Sequence, residues 1–366
     1  MVSAKEKDHV LAQISKHARI LYEAIKGKKK PVIATPVRSL SNVLYNKQDG
    51  FFELGGSMKK RTLAATTVKS FAQTMLLMNE ARKVIETDDI MTKREAYYVS
   101  KNWGDAKFAE QPESDTVMDD IEAMMRVQRE QLGFIPEEDG GAVAGKLVII
   151  DQDPETGKDV RIDCTQFASG AYNIPSNVEH FRFETDAKFI LAVETAGMFQ
   201  RLIKHKYYQK DNCILVSLKG VPSRATRRFI RKLSFDLSLP VFVFTDNDPY
   251  GHMNIYRTLK VGSGNSAHVN EFFCVPNAKY IGITPQDVTE YKLPSHPLKE
   301  VDIKRAKDAL KSDPFVHQHK EWQEAIKLMI KNGVRAEQQA LAKWGLNYVI
   351  DTYLPEKMKK PETWLP

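Results

Sequence analysis

Three carboxylates and a pair of tyrosines are the residues whose types and spacing could do chemistry. Glu194 closes the apolar run "FILAVE", and Asp246 and Asp248 close "VFVFTDND". Both runs have the length and composition of buried strands. In an open parallel sheet, ligands gather beyond the carboxyl ends of the strands, so the three acids are expected in one place. Clustered carboxylates repel one another, and burial raises their pKa values. A divalent cation removes that conflict, and Mg²⁺ is satisfied by one or two carboxylates plus water and phosphate oxygens. The constellation reads as a Mg²⁺ site for phosphodiester chemistry. Asp-x-Asp alone is common, and strand-end acids often only cap the next helix. The strand-end Glu two strands earlier tips the reading to the metal.

The tyrosines lie in "TKREAYY", residues 92–98. Thr92 and Glu95 fit the S/T-x-x-E capping box, which predicts a helix start. On that helix Arg94 and Tyr98 are i, i+4 neighbours, and Lys93 and Tyr97 make a parallel pair on the next face. Spacing alone does not choose between the tyrosines. A guanidinium offers a planar fork to a phosphate, whereas an ammonium is a point charge, and that tilts the choice to Tyr98. A tyrosine hydroxyl, with a pKa near ~10, needs activation to attack phosphorus. A neighbouring Arg and Mg²⁺ can stabilise the developing charge.

Apolar periodicity predicts helices over 6–26 and 62–86, the second with a Met-rich stripe that reads as core. A third helix follows an acidic segment, over "DTVMDDIEAMMRVQREQLGF". "GKLVIID" and "DVRIDC" flank the turn-like "DPETGK" and predict a hairpin. Three helices and a hairpin outline a winged helix-turn-helix module. From about residue 186, strand-like runs alternate with helices, which predicts a largely parallel sheet flanked by helices. The tail over 299–359 is expected to be mainly helical, with "AEQQALAKWGLNYVIDTYL" its clearest part.

The bulk numbers set the frame. With 366 residues and 42% hydrophobic content, the chain can build two cores. Its 54 Lys and Arg against 47 Asp and Glu give a formal charge of +7, which favours a polyanionic partner. Residues 201–234 hold ten Lys and Arg against one acid. Arg224, Arg227, Arg228 and Arg231 lie on or near one helix there, and beside a strand-end metal site they read as a phosphate-backbone track. Cys164, Cys213 and Cys274 are far apart and odd in number, which supports neither a disulfide framework nor a zinc knuckle. No apolar run approaches the ~20 residues of a membrane span. "MVSAKEKDHV" has no apolar signal core, so a soluble, cytoplasmic protein is expected. "GGAVAGKL" nearly matches a P-loop but has Leu147 where the Mg²⁺-binding hydroxyl belongs. "GSGNS" has no preceding strand, and His317 and His319 form only a lone His-x-His. No ATP site is evident.

Taken together, "TKREAYY", "AVETAGMF", "LKGVPSRATRRF" and "FTDNDPYG" resemble the A subunits of type IIB DNA topoisomerases (topoisomerase VI), related to the meiotic break-forming protein Spo11. "GAVAGKL" and "YNIPSNVE" also match family positions, and "AEQQALAKWGL" resembles archaeal members. The resemblance covers about residues 60–360. It implies an α/β multidomain chain: a winged-helix (5Y-CAP) domain over 63–168, a linker over 169–185 and a Toprim domain over 186–366, after an N-terminal extension over 1–62. It implies Tyr98 as the nucleophile, Arg94 beside it, and Glu194, Asp246 and Asp248 as Mg²⁺ ligands; "DND" departs from the commoner Asp-Gly-Asp only in its middle residue. Lys93 and the four arginines are expected to contact double-stranded DNA. The resemblance further implies a homodimer of such chains within an A2B2 heterotetramer, whose B subunit is a GHKL-type ATPase, with each tyrosine working at the metal of its mate. The implied activity is ATP-dependent relaxation or decatenation through 5′-phosphotyrosyl breaks. Hydrolysis by a Toprim nuclease, or break formation without strand passage, are the alternatives.

Overall fold

A computed structural model describes residues 4–136, 140–153, 155–168 and 170–366. The chain divides into two compact units. One comprises Met1–Leu44, Glu53–Glu138 and Gly264–Glu271; the other comprises Tyr45–Phe52, Asp139–Ser263 and Phe272–Pro366.

The first unit is built on four helices: α1 (Ala4–Lys26), α2 (Val68–Glu86), α3 (Lys93–Val99) and α4 (Gln111–Met125). Val10 and Ile14 of α1 join Leu77 and Met78 of α2 and Met118 and Ile121 of α4 in one buried cluster. The Met-rich stripe is core, as its spacing predicts. Helix α1, expected within the N-terminal extension, buries Val10 and Ile14 of its apolar face in this core. Strand Val32–Pro36 pairs antiparallel with Met58–Thr62 and packs on α4. The third predicted helix is shorter than expected. It stops at Met125 because Arg126 turns left-handed at φ 56°.

The segment Gly264–Glu271 returns to this unit from far along the chain. Arg38 is its anchor: Nε donates to Asp120 at 2.9 Å, and Nη1 reaches Asp119 and the Asn265 carbonyl at 3.2 and 3.3 Å. His268 Nε2 meets Glu122 at 3.1 Å, with both side chains buried.

The second unit is organised by a six-stranded sheet. Its order is Tyr172–Asn173, Ala142–Gly145, Cys213–Ser217, Phe189–Val193, Val241–Phe244 and Lys279–Tyr280. The last four strands are mutually parallel, as predicted; the first two add antiparallel. Every residue of the three central strands is buried. Such continuous apolar runs mark strands covered on both faces. The P-loop-like stretch is one of the antiparallel strands, Ala142–Gly145, which has no phosphate-cradling turn into a helix.

The predicted hairpin forms, Val148–Gln152 against Asp159–Asp163, with Pro154 of its turn outside the described residues. It belongs to the second unit and gains a third strand, Arg182–Glu184. It is therefore not part of the unit that carries the tyrosines. The tail over 299–359 is mainly helical, as expected, but in several short pieces. "AEQQALAKWGLNYVIDTYL" is not one helix but a 3₁₀ segment, Gln338–Trp344, followed by short π and α segments. Gly345, at φ 119°, breaks it. Among the described residues no helix is long and apolar enough to cross a membrane.

Gly282 marks one of the tight approaches near the central strands. A Cβ there would lie 2.6 Å from the Thr245 carbonyl oxygen and 2.7 Å from its nitrogen. Backbone atoms in a packed sheet have no room to yield. Gly282→Ala is expected to cost about 1–3 kcal/mol, the usual penalty of overpacking, seen as a lower thermal midpoint. An unchanged midpoint would show that the sheet relaxes there.

Candidate active site

The strand order explains why the acids meet. From Phe189–Val193 the chain crosses to Cys213–Ser217 on one side, then returns to Val241–Phe244 on the other. Phe189–Val193 is thus where the winding reverses, and a crevice opens at the carboxyl ends of strands at such a point. Val193 is in register with Phe244, so Glu194 and Asp246 leave adjacent strands side by side. The Asp246 backbone N–H donates to Glu194 Oε2 at 2.8 Å. Asp246 Oδ1 accepts from the Gln338 N–H at 2.8 Å, and Asp248 Oδ1 accepts from the Gly251 N–H at 2.6 Å. Each acid is half-buried and has one oxygen held by a backbone donor. Gly251 allows this closeness: a Cβ there would press on the Asp246 carbonyl at 2.9 Å.

The electrostatics follow from burial. Desolvation, then repulsion from Asp246, pushes the Glu194 carboxyl up to about 8. Desolvation also dominates at Asp246, raising it to about 6 despite the Gln338 hydrogen bond. Asp248 is raised by desolvation as well. Glu337 adds negative potential at Glu194 and Asp246, and Arg335 offsets it at Asp246 and Asp248. The cluster is therefore short of positive charge. Among the described residues, no three His, Cys, Asp or Glu side chains form a closed metal cage. Mg²⁺ does not require one, because it keeps several waters and takes one or two carboxylates plus substrate oxygens. Glu194 Oε1, Asp246 Oδ2 and Asp248 Oδ2 are the oxygens outside these backbone hydrogen bonds, and the donor set fits the ion.

The tyrosines are in the first unit. The predicted capping box is present: Glu95 N–H donates to Thr92 Oγ1 at 3.1 Å, and Thr92 N–H donates to Glu95 Oε2 at 2.7 Å. Tyr97 packs on the buried cluster and donates to the Ala109 carbonyl at 3.3 Å, with Lys101 Nζ 3.9 Å from its ring centre. Tyr98 is 56% exposed. The Arg94 guanidinium carbon lies 6.0 Å from its ring centre. The geometry thus separates a packed tyrosine from a presented one.

The cations expected on DNA have internal partners. Lys93 pairs with Asp115 at 2.5 Å. On helix Arg224–Asp236, Arg228 makes a two-pronged pair with Glu179, and Arg231 donates to the Cys274 carbonyl. Arg224 and Arg227 face the Phe273 ring, each at 5.5 Å, and Arg227 is only 6% exposed. The expected helix forms, but much of its cationic face is turned inward. His317 Nε2 meets the Leu310 carbonyl and His319 packs on Phe315, so the His-x-His is local packing. The three cysteines are free and buried. Sequence reasoning misses Arg335, Glu337 and Gln338. The signal for Glu337 and Gln338 is the "AEQQAL" motif that Arg335 precedes, whose periodicity reads as helix.

Comparison with known proteins agrees along the whole length. The model described as the Toprim domain of the topoisomerase 6 A subunit/Spo11 matches residues 189–358. The all-beta domain in DNA topoisomerase VI alpha subunit matches 137–187, and the type IIB DNA topoisomerase model matches 69–134. The A subunit of type 2 DNA topoisomerase 6 from Methanocaldococcus jannaschii is 54% identical over 365 residues, covering 100% of this chain and 98% of the relative. That of Archaeoglobus fulgidus is 39% identical over 347 residues, covering 93% and 94%. That of Methanothermobacter thermautotrophicus is 37% identical, covering 91% and 92%. Strand-end acids on a Toprim sheet and full-length relatives lead to one statement: the chain belongs to the family of topoisomerase VI A subunits and Spo11, and is the DNA-cleaving subunit of a type IIB DNA topoisomerase.

Proposed function

We propose that Tyr98 is the nucleophile, that Arg94 steadies the phosphate it attacks, and that Glu194, Asp246 and Asp248 hold Mg²⁺. The adjacency of Glu194 and Asp246 at the reversal of the sheet, joined by a 2.8 Å hydrogen bond, carries this reading. Tyr98 Oη forms a bond to phosphorus, the bond from phosphorus to the 3′ oxygen breaks, and the phenolic proton passes to the departing 3′ oxygen. The product is a 5′-phosphotyrosyl link. One phosphoester bond replaces another, so resealing needs no external energy. Arg94, one helical turn before Tyr98, presents two N–H donors to the phosphate oxygens. When bound, Mg²⁺ supplies positive charge against the phosphate, which the three acids alone would repel.

Tyr98 and the acids belong to different compact units. We propose that two chains form a dimer in which the tyrosine of one works at the acids of its mate, cutting opposite strands. That the relatives are named as A subunits supports a separate, ATP-hydrolysing B subunit. The two would form an A2B2 assembly that relaxes or decatenates DNA in the cytoplasm. The unit bearing Tyr98 would act as the winged-helix (5Y-CAP) module, with Val32–Pro36 and Met58–Thr62 as its two-stranded element. Lys93, Arg224, Arg227, Arg228 and Arg231 enter as contributors to the positive potential that draws in the duplex.

With the ATPase partner, Mg²⁺ and ATP, Tyr98→Phe is expected to abolish relaxation of supercoiled DNA and covalent capture on 5′ ends, and Tyr97→Phe to retain most of both. Relaxation by Tyr98→Phe would remove the assignment, and cleavage without covalent capture would favour the hydrolytic nuclease. Arg94→Ala is expected to lower the cleavage rate about 10²-fold, the scale for losing one charge-stabilising donor, while Arg94→Lys recovers part of it. An undiminished rate would exclude Arg94 from the reaction.

The raised carboxyls give a pH dependence. Glu194 at about 8 and Asp246 at about 6 bind protons more tightly folded than unfolded. They therefore lower the metal-free stability as pH rises from the ordinary carboxylate range towards 8. Mg²⁺ competes with those protons. Its stabilising shift of the thermal midpoint is expected to be larger at about pH 8.5 than at about pH 5.5. An equal shift at both, or a difference that survives Asp246→Ala, would contradict the assignment.

A further inference from the structure

The segment after strand Val334–Arg335 is bound to the acidic site by more than proximity. Ala336 and Asn247 exchange backbone hydrogen bonds, at 2.8 and 3.1 Å, between the two aspartates. The next contact is made by Gln338, which is fully buried. Its backbone N–H holds Asp246 Oδ1 at 2.8 Å. Its side-chain Nε2 donates to the Phe244 carbonyl at 2.7 Å, and its Oε1 accepts from the Thr195 hydroxyl at 3.1 Å. Thr195 directly follows Glu194 and also accepts from Met198 N–H as the cap of helix Ala196–Lys204. The Phe244 carbonyl also accepts from the Glu194 N–H, at 3.0 Å. One residue thus touches both strand ends and one of the carboxylates.

We propose that Gln338 is a positioning residue for the carboxylate pair: its amide clamps the end of strand Phe189–Val193 to the end of strand Val241–Phe244, and so sets the Glu194–Asp246 separation that a divalent cation meets. The inference rests on the reading of these acids as a cation site and adds a residue to it. The chemistry is specific to a primary amide. Only a group with a donor and an acceptor on one planar carbon satisfies a carbonyl and a hydroxyl together at this spacing. A carboxylate there would face the Phe244 oxygen with no proton and add negative charge to a site already short of cations. An apolar side chain of equal length would fill the volume but leave the half-buried Thr195 O–H without this acceptor and one Phe244 carbonyl lone pair unsatisfied.

The test uses the full chain and Mn²⁺ as a paramagnetic probe, titrated and followed by electron paramagnetic resonance without DNA. Gln338→Met keeps the backbone N–H on Asp246 and nearly the same volume. It is expected to weaken Mn²⁺ binding on the order of tenfold, the lower end of what loss of an outer partner does to a metal site. Thr195→Val, which removes the hydroxyl from the other side, is expected to weaken it in the same direction and serves if Gln338→Met does not fold. The exposed neighbour Gln339→Met should bind as the unsubstituted chain does. A lower thermal midpoint with unchanged Mn²⁺ affinity in both variants would make Gln338 a packing residue only and overturn the inference. If the unsubstituted chain binds no Mn²⁺ that Asp246→Ala removes, the cation-site reading falls, and this inference with it.

Discussion

Three carboxylates brought out of water at the ends of neighbouring strands set the terms for the rest of the second unit. Their mutual repulsion and desolvation disfavour the ionised form, and the fold has to hold them together against both. It does so with backbone N–H groups drawn from the turn after the strand, from Gly251 and from Gln338. Those donors in turn need a sheet stiff enough not to splay. Continuous burial of Phe189–Val193, Cys213–Ser217 and Val241–Phe244 supplies that stiffness. A site held this way is biased towards protonation when empty and towards ionisation when a cation arrives, which suits a centre that handles a charged backbone.

The exposed tyrosine is arranged on the opposite logic. Tyr98 is not buried; it is presented on a short, well-capped helix beside one guanidinium. The capping box of Thr92 and Glu95 fixes where the helix begins, and that start determines which tyrosine faces the core and which faces out. Activation has to come from elsewhere.

Much of this was readable from residue order because the signals are local. "FILAVE" and "VFVFTDND" are short apolar runs ended by acids, and a run of that kind reports its own strand. The box around Thr92 is likewise complete within four residues. What residue order hides is allegiance over distance. The hairpin over 148–163 is announced by its turn, but nothing near it says that its partner is Arg182–Glu184 rather than the tyrosine-bearing helices. Likewise α1 reads as amphipathic without revealing which core its face completes. The "AEQQAL" motif has helical periodicity, so its role beside Asp246, 92 residues away, left no local trace. The arginines of "SRATRRFIRK" show the converse limit: charge density was legible, but the inward partners that absorb it were not.

The return of Gly264–Glu271 to the first unit has a consequence for the protein's modularity. Neither unit is a continuous stretch of sequence, so no single cut frees one intact from the other. A fragment ending near residue 138 would keep Glu122 in its buried place without His268, and Arg38 without the Asn265 carbonyl. Taking one hydrogen-bonding partner from a buried carboxylate is costly to a core. The chain is therefore committed to being inherited and folded as a whole, even though the exposed tyrosine and the clustered acids are carried on separate cores.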